Sequence, residues 1–100
     1  MMAKYTNVSR FLMKEGCQAV LEDKFAAADK WEGQLLHILA RTGERTDVGY
    51  GLWESEAAMA AARPQMIALL DTARDLLEEI SPELGVTDPV SGTVVFERGG

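Results

Sequence analysis

Cysteine and histidine are almost absent from this sequence, which has one of each, Cys17 and His37. A single cysteine cannot form a disulfide within the chain or a paired-cysteine metal or redox site, and its simplest interpretation is a small buried residue on a helix. The histidine, cysteine and acidic residues show no spacing typical of metal ligands. No glycine-rich phosphate loop follows a predicted strand. We therefore expect no metal ion and no bound cofactor.

Positive charge and long apolar runs are also scarce. Ten lysines and arginines stand against 16 aspartates and glutamates, which gives a net charge of −6 and a pI near 4.7. Nucleic acids and anionic membranes both require a clustered basic surface, so we expect neither as a partner. No stretch approaches the roughly 18 apolar residues of a membrane span, and no basic-then-apolar segment opens the chain. These features favour a cytoplasmic protein.

The remaining composition is that of an ordinary globular domain. Hydrophobic residues make up 47% of the chain and charged residues 26%, which excludes a disordered or fibrous class. A chain of 100 residues predicts a single domain over residues 1–100, with 98–100 as a loose C-terminal end.

The rest of the predicted fold is arranged around the stretch from Val48 to Ser55. It is rich in strand-forming residues, while Gly49 and Gly51 leave space on one face where another group could approach the backbone closely. The strand ends in Trp53, and Ser55 is a good N-cap for the alanine-rich helix that follows. A strand end beside a helix start favours a pocket, and we expect one here.

Hydrophobic periodicity predicts the order β-α-β-β-α-β. The fold class is therefore α+β and ferredoxin-like, a four-stranded antiparallel sheet with both helices on one face. We expect the second helix to kink or break briefly at Pro64. The segment around Asp88-Pro89 and Ser91-Gly92 is interpreted as a turn-rich connection. The predicted strands are 5–14, 34–41, 48–53 and 93–97, the loop between the middle strands is 42–47, and the predicted helices are 17–28 and 56–80.

Both faces of the predicted sheet are apolar, although the helices can cover only one. Leu35 and Leu36 are neighbours and so point to opposite faces, as do Ile38 and Leu39. An antiparallel sheet with one face in water should instead alternate between apolar and polar residues. Burial of each large apolar side chain contributes about 1.5–3 kcal/mol, so the uncovered face favours an interface. We predict a homodimer that packs sheet against sheet into a β-barrel.

With this pattern in view, the chain resembles the dimeric α/β-barrel superfamily, and within it the antibiotic biosynthesis monooxygenase (ABM) domain. Most specific is the strand-ending tryptophan, acid and serine before the second helix. The residues that carry the resemblance are Phe11-Leu12-Met13-Lys14-Glu15-Gly16, Phe25, Glu32-Gly33 and Leu52-Trp53-Glu54-Ser55.

The resemblance implies a cavity between the sheet and the helices of each protomer. Some members oxidise polycyclic phenols with molecular oxygen and no metal or flavin, others degrade haem, and many have no known activity. The family's tryptophan maps to Trp53. The first-strand asparagine of catalytic members falls at Ser9, with Asn7 on the same face. The haem-degrading branch has a histidine where this chain has Arg63, so haem binding through that ligand is not expected.

Each candidate site residue also has an ordinary structural interpretation. His37 could act as general base, or be a hydrogen-bonded structural histidine, and the sequence does not decide whether it faces the cavity or the dimer interface. Trp53 could stack on an aromatic ligand or fill the core. The further ligand-binding candidates, each with a structural or solvated alternative, are Ser9, Asn7, Tyr50 and Arg63.

Two hypotheses of function remain open at this point. The first is a cofactor-independent monooxygenase that acts on a small aromatic, phenolic or quinol-type molecule. The alternative is a non-catalytic dimer of the same fold, either structural or binding a small ligand. A cavity in which His37, Trp53 and a first-strand polar group converge favours the first, and a filled cavity favours the second.

Overall fold

The computed structural model describes residues 3–99 and has the predicted β-α-β-β-α-β order. One antiparallel sheet has the strand order β2-β3-β1-β4, so the first and third strands lie in the middle. Both helices pack on one face of it, which confirms the α+β, ferredoxin-like prediction. The elements are β1 (Tyr5–Leu12), α1 (Gln18–Ala27), β2 (Gln34–Gly43), β3 (Thr46–Trp53), α2 (Glu56–Ala73), a 3₁₀ turn (Arg74–Leu76) and β4 (Thr87–Thr93).

The position of the last strand was predicted wrongly. β4 is Thr87–Thr93, the segment interpreted as turns, and the predicted strand 93–97 lies almost entirely beyond it. β4 is an edge strand that pairs only with β1, so Pro89, which has no N–H to donate, is tolerated opposite Ser9. Val95, which the prediction placed in the sheet, is 94% exposed.

Two other boundaries also differ from prediction. The hairpin between β2 and β3 is tighter than expected, with only Glu44 and Arg45 between the strands, and Arg45 adopts a left-handed φ of 68°. The second helix ends at Ala73 instead of Ile80, because the backbone N–H of Glu78 donates to the carbonyl of Leu12 rather than continuing the helix.

The expected break at Pro64 is absent, since α2 runs through it without interruption. Pro64 cannot donate to the carbonyl of Ala60, but both residues are exposed, so water can satisfy that carbonyl. The predicted N-cap is confirmed, because the Ser55 hydroxyl accepts a hydrogen bond from the N–H of Ala58 at 3.1 Å.

Strand register fixes which side chains share each face of the sheet. On the face that the helices cover, here called the front face, Phe11 packs with Leu21 and Ala73 in one core cluster, and Trp53 packs with Met59 in another. The opposite face, here called the rear face, carries the alternate residues. Its larger apolar side chains are Val8, Leu12, Leu36, Ile38, Val48, Tyr50, Leu52 and Val90.

The rear face is exposed in the single chain. Leu36 is 44% exposed, Ile38 45% and Val90 62%. An apolar surface of this kind is what the sequence predicted, although Val90 of β4 contributes to it and the tail residues Val95 and Phe96 do not. The homodimer remains a prediction. Within residues 3–99, no helix combines the length and the hydropathy that a membrane crossing requires.

Candidate functional site

A cavity of about 450 Å³ lies between the front face and α2. Its volume is within the range of small-molecule sites, roughly 300–1,000 Å³. Aromatic and aliphatic side chains form most of its wall, including Phe11, Phe25, Trp31, Met59, Met66 and Leu70. The polar and charged side chains along the wall belong to Asn7, Ser9, Gln34, His37, Arg63, Thr87 and Ser91.

Trp53 fixes the orientation of Asn7. The indole N–H of Trp53 donates to Oδ1 of Asn7 at 2.7 Å, and because an indole N–H is only a donor, the Asn7 atom it meets must be the carbonyl oxygen. The NH₂ group of Asn7 therefore points the other way, where one N–H donates a weak hydrogen bond to the sulfur of Met66 on α2 at 3.8 Å. An amide NH₂ group has two donors, so Asn7 has a second N–H, fixed in orientation, for a molecule in the cavity.

Gly51 makes room for this pair. A Cβ at position 51 would lie 2.4 Å from Oδ1 of Asn7 and 2.9 Å from Nε1 of Trp53, which no side chain tolerates without displacement. Gly49 does the same for Phe11, whose ring would lie 3.3 Å from a Cβ there. The prediction that these two glycines let other groups approach the strand is confirmed.

The expectation that Trp53 stacks on a ligand is not supported, because Trp53 is 0% exposed and does not line the cavity. Its ring instead lies parallel to Trp31, with centroids 6.2 Å apart and an interplanar angle of 7°. Trp31 lines the cavity itself. No role was predicted for Trp31, although a large aromatic residue within a short polar connection is a signal that could have identified it.

His37 lies on the front face and faces the cavity, opposite Gly51 in the β2–β3 register. Its ring stacks on Trp31 at 5.7 Å and lies 6.0 Å from the ring of Phe25. Withdrawal from water between these rings lowers the pKa of His37 below its ordinary value of 6.5. His37 is nevertheless an exposed residue; with its pKa lowered, the neutral imidazole, which can accept a proton, is the main form at pH 7.

The other predicted residues divide between the two faces. Ser9 lies beside Gly49 on the front face and lines the cavity, and Arg63 reaches it from α2. Tyr50 also lies along the cavity wall, but it alternates with Gly49 and Gly51, so its side chain points to the rear face. Of the predicted residues, the cavity wall therefore includes the side chains of Asn7, Ser9, His37 and Arg63, and Tyr50 without its side chain.

A separate polar cluster closes the hairpin end of the front face. Asp47 is 1% exposed, and its Oδ1 accepts a hydrogen bond from the Gln18 amide at 2.8 Å. Its Oδ2 has no hydrogen-bond partner in the described part of the chain. Burial, and the neighbouring Glu22 carboxylate, raise the pKa of Asp47, whereas hydrogen bonds from Arg41 lower the pKa of Glu22.

Taken together, the cavity can bind a flat apolar molecule between aromatic walls, donate a hydrogen bond to it from Asn7, and accept a proton at His37. The described residues include no group of three or more histidine, cysteine, aspartate or glutamate side chains arranged to hold a metal ion.

No family model and no curated protein matches the chain, but solved structures do. One is a candidate antibiotic biosynthesis monooxygenase from Chloroflexus aurantiacus J-10-fl, with a TM-score of 0.76 and 15% identity over 97% of this chain and 98% of that one. Another is a mutant form of SnoaB, a cofactor-independent oxygenase from Streptomyces nogalater. It has a TM-score of 0.75 and 20% identity over 95% of this chain and 96% of that one.

A third is the monooxygenase of the ActVA-Orf6 gene of Streptomyces coelicolor in complex with nanaomycin D. It gives a TM-score of 0.69 and 22% identity over 98% of this chain and 90% of that one. At these identities the likeness is one of fold. The chain thus has the ferredoxin-like fold shared by antibiotic biosynthesis monooxygenase domain proteins.

Proposed function

We propose that this protein is a cofactor-independent monooxygenase that oxidises a small, flat phenol or quinol with molecular oxygen. The observation that carries the proposal is His37, a neutral histidine held between aromatic rings in the wall of an open cavity that also contains the Asn7 donor. Neighbouring structures described as a cofactor-independent oxygenase and a monooxygenase support it through the shared fold.

The proposed reaction begins with proton transfer from the substrate hydroxyl to His37. The phenolate that forms is electron-rich and is itself the reductant, so no other electron source is needed. Overall, one phenol and one O₂ give one quinone and one water: one oxygen atom enters the ring, and the other leaves as water with two protons. The four electrons that reduce O₂ all come from the substrate.

The protein stabilises the developing negative charge. The NH₂ group of Asn7, oriented by the Trp53 indole, donates to the phenolate oxygen, while the apolar walls reduce competition from water. In this scheme Trp53 is a positioning residue that acts through Asn7.

The test is oxygen uptake with a panel of phenols and hydroquinones, with heat-denatured protein as the control for autoxidation. Since general-base catalysis contributes roughly 10²–10⁴-fold, we expect His37→Gln to lower kcat at least tenfold. Arg41→Gln is the matched control, because Arg41 lies on the same strand and face but does not line the cavity. No uptake above the denatured control with any compound would remove the proposal.

A second candidate is a ligand-binding dimer without turnover. One observation favours it: His37 makes no side-chain hydrogen bond to residues 3–99 that would orient its imidazole, whereas catalytic bases are commonly oriented by a third group. Tight binding of a phenol without oxygen uptake would support this candidate.

We also propose that the rear face forms a homodimer interface, since Leu36, Ile38 and Val90 expose apolar surface that a second sheet would bury.

A further inference from the structure

Arg63 is the only formally charged residue in the described wall of the cavity. No aspartate, glutamate or lysine lines it, and the remaining polar groups are amides, hydroxyls and His37. A protein with a net charge of −6 therefore presents a single cation, and no anion, to whatever occupies this space.

Arg63 also differs from the other arginines in having no partner. Arg10, Arg41, Arg45 and Arg74 each form an ion pair with a carboxylate, and the guanidinium of Arg98 lies over the Phe96 ring at 4.9 Å. Among residues 3–99, Arg63 makes neither an ion pair nor an aromatic contact.

The helix around Arg63 gives it no acidic neighbour. The residues three and four positions away are all apolar: Met59, Met66 and Ile67 line the cavity with Arg63, and the fourth is Ala60. The sulfur of Met66 lies 3.8 Å from the amide nitrogen of Asn7, so Arg63 is one helical turn from the point where α2 contacts Asn7. Arg63 is exposed to solvent, and since no described side chain pairs with its guanidinium, the donors of that group are available to a ligand.

From these observations we infer that the cavity takes a flat aromatic molecule bearing a carboxylate, and that Arg63 binds the carboxylate. The inference rests on the proposed function in that it names the substrate class of the same cavity. A guanidinium can meet a carboxylate with two parallel hydrogen bonds, whereas a lysine offers only a point charge. Arg63 is thereby a specificity residue, and the chemistry remains with His37 and Asn7.

The test compares two probes of the same shape, 2-naphthoate and 2-naphthamide, by isothermal titration of the full chain without any oxygen-uptake readout. We expect wild type to bind the naphthoate more tightly. Arg63→Gln should weaken naphthoate binding about fivefold to tenfold and leave naphthamide binding unchanged. This loss lies between the effect of removing an exposed ion pair and that of removing a buried hydrogen bond to a charged group. Arg63→Lys should restore only part of the loss.

Arg74→Gln is the matched control, since it removes the same charge from the end of α2 where Arg74 pairs with Asp71. Equal loss of naphthoate affinity in both glutamine variants, an unchanged probe ratio in Arg63→Gln, or no binding of naphthoate would overturn the inference. Binding that depends on Arg63 without oxygen uptake by any phenol supports it while removing the oxygenase. Oxygen uptake with neutral phenols, together with no preference for binding naphthoate over naphthamide, supports the oxygenase and overturns the carboxylate inference.

Discussion

Substitution of Gly51 by alanine tests the packing that orients Asn7. The added Cβ would lie 2.4 Å from Oδ1 of Asn7 and 2.9 Å from Nε1 of Trp53, so one of these groups must move and their 2.7 Å hydrogen bond is lost. Overpacking costs about 1–3 kcal/mol, and a buried acceptor left without its donor adds about 1–3 kcal/mol. We therefore expect Gly51→Ala to lower the free energy of unfolding by about 2–6 kcal/mol, or Tm by roughly 10 °C or more.

Gly92→Ala is the matched control, because Gly92 is also a strand glycine but a Cβ at that position would have no neighbouring atom within 4 Å. Its stability should stay within about 1 kcal/mol of wild type. In an Asn7→Ala background the nearest clashing atom is gone, so the cost of Gly51→Ala should fall by about 1 kcal/mol or more. Urea unfolding of the four variants gives these values. Equal stability of Gly51→Ala and Gly92→Ala would refute the described packing.

Three other features give further predictions: the buried Asp47, the rear face and the Trp53 indole. Because burial raises the pKa of Asp47, the folded chain holds a proton that the unfolded chain loses above its ordinary pKa of 3.8. The contribution of Asp47 to the free energy of unfolding therefore falls as pH rises from there to the raised value. Asp47→Asn removes this penalty, and its Tm relative to wild type should rise with pH; parallel Tm curves would contradict it. Light scattering should show that Ile38→Asp converts a dimer to a monomer. Val20→Asp should not, because Val20 lies on α1, although its side chain has nearly the same exposure. A monomeric wild type at micromolar concentration would refute the interface. Trp53→Phe should lower kcat more than it raises KM, since the Asn7 amide loses its orienting donor; an unchanged kcat would exclude that role.

The sequence was sufficient for the features that depend on local pattern. Alternation and the glycine spacing identified β3 and the open space beside it, and Ser55 marked the start of α2. The apolar residues on both sides of β2 correctly indicated an exposed rear surface. Each of these follows from side-chain periodicity within a single element.

The features that could not be predicted from the sequence depend on contacts between elements. Pro89 is compatible with a strand only because β4 lies at the sheet edge, and the sequence alone does not show which strand that is. The hydrogen bond between Asn7 and Trp53 requires the β1–β3 register, which pairs Asn7 with Gly51. Likewise Trp31 acquires its place in the cavity wall through stacking on His37 and Trp53.

The most direct test of the proposed function is the pH dependence of kcat/KM for oxygen uptake by chelator-treated protein. We predict a rate that rises with pH and levels off, with a midpoint below the ordinary histidine pKa of 6.5, and no such step in His37→Gln. A midpoint above 6.5, or the same step in His37→Gln, would contradict a neutral His37 as the base.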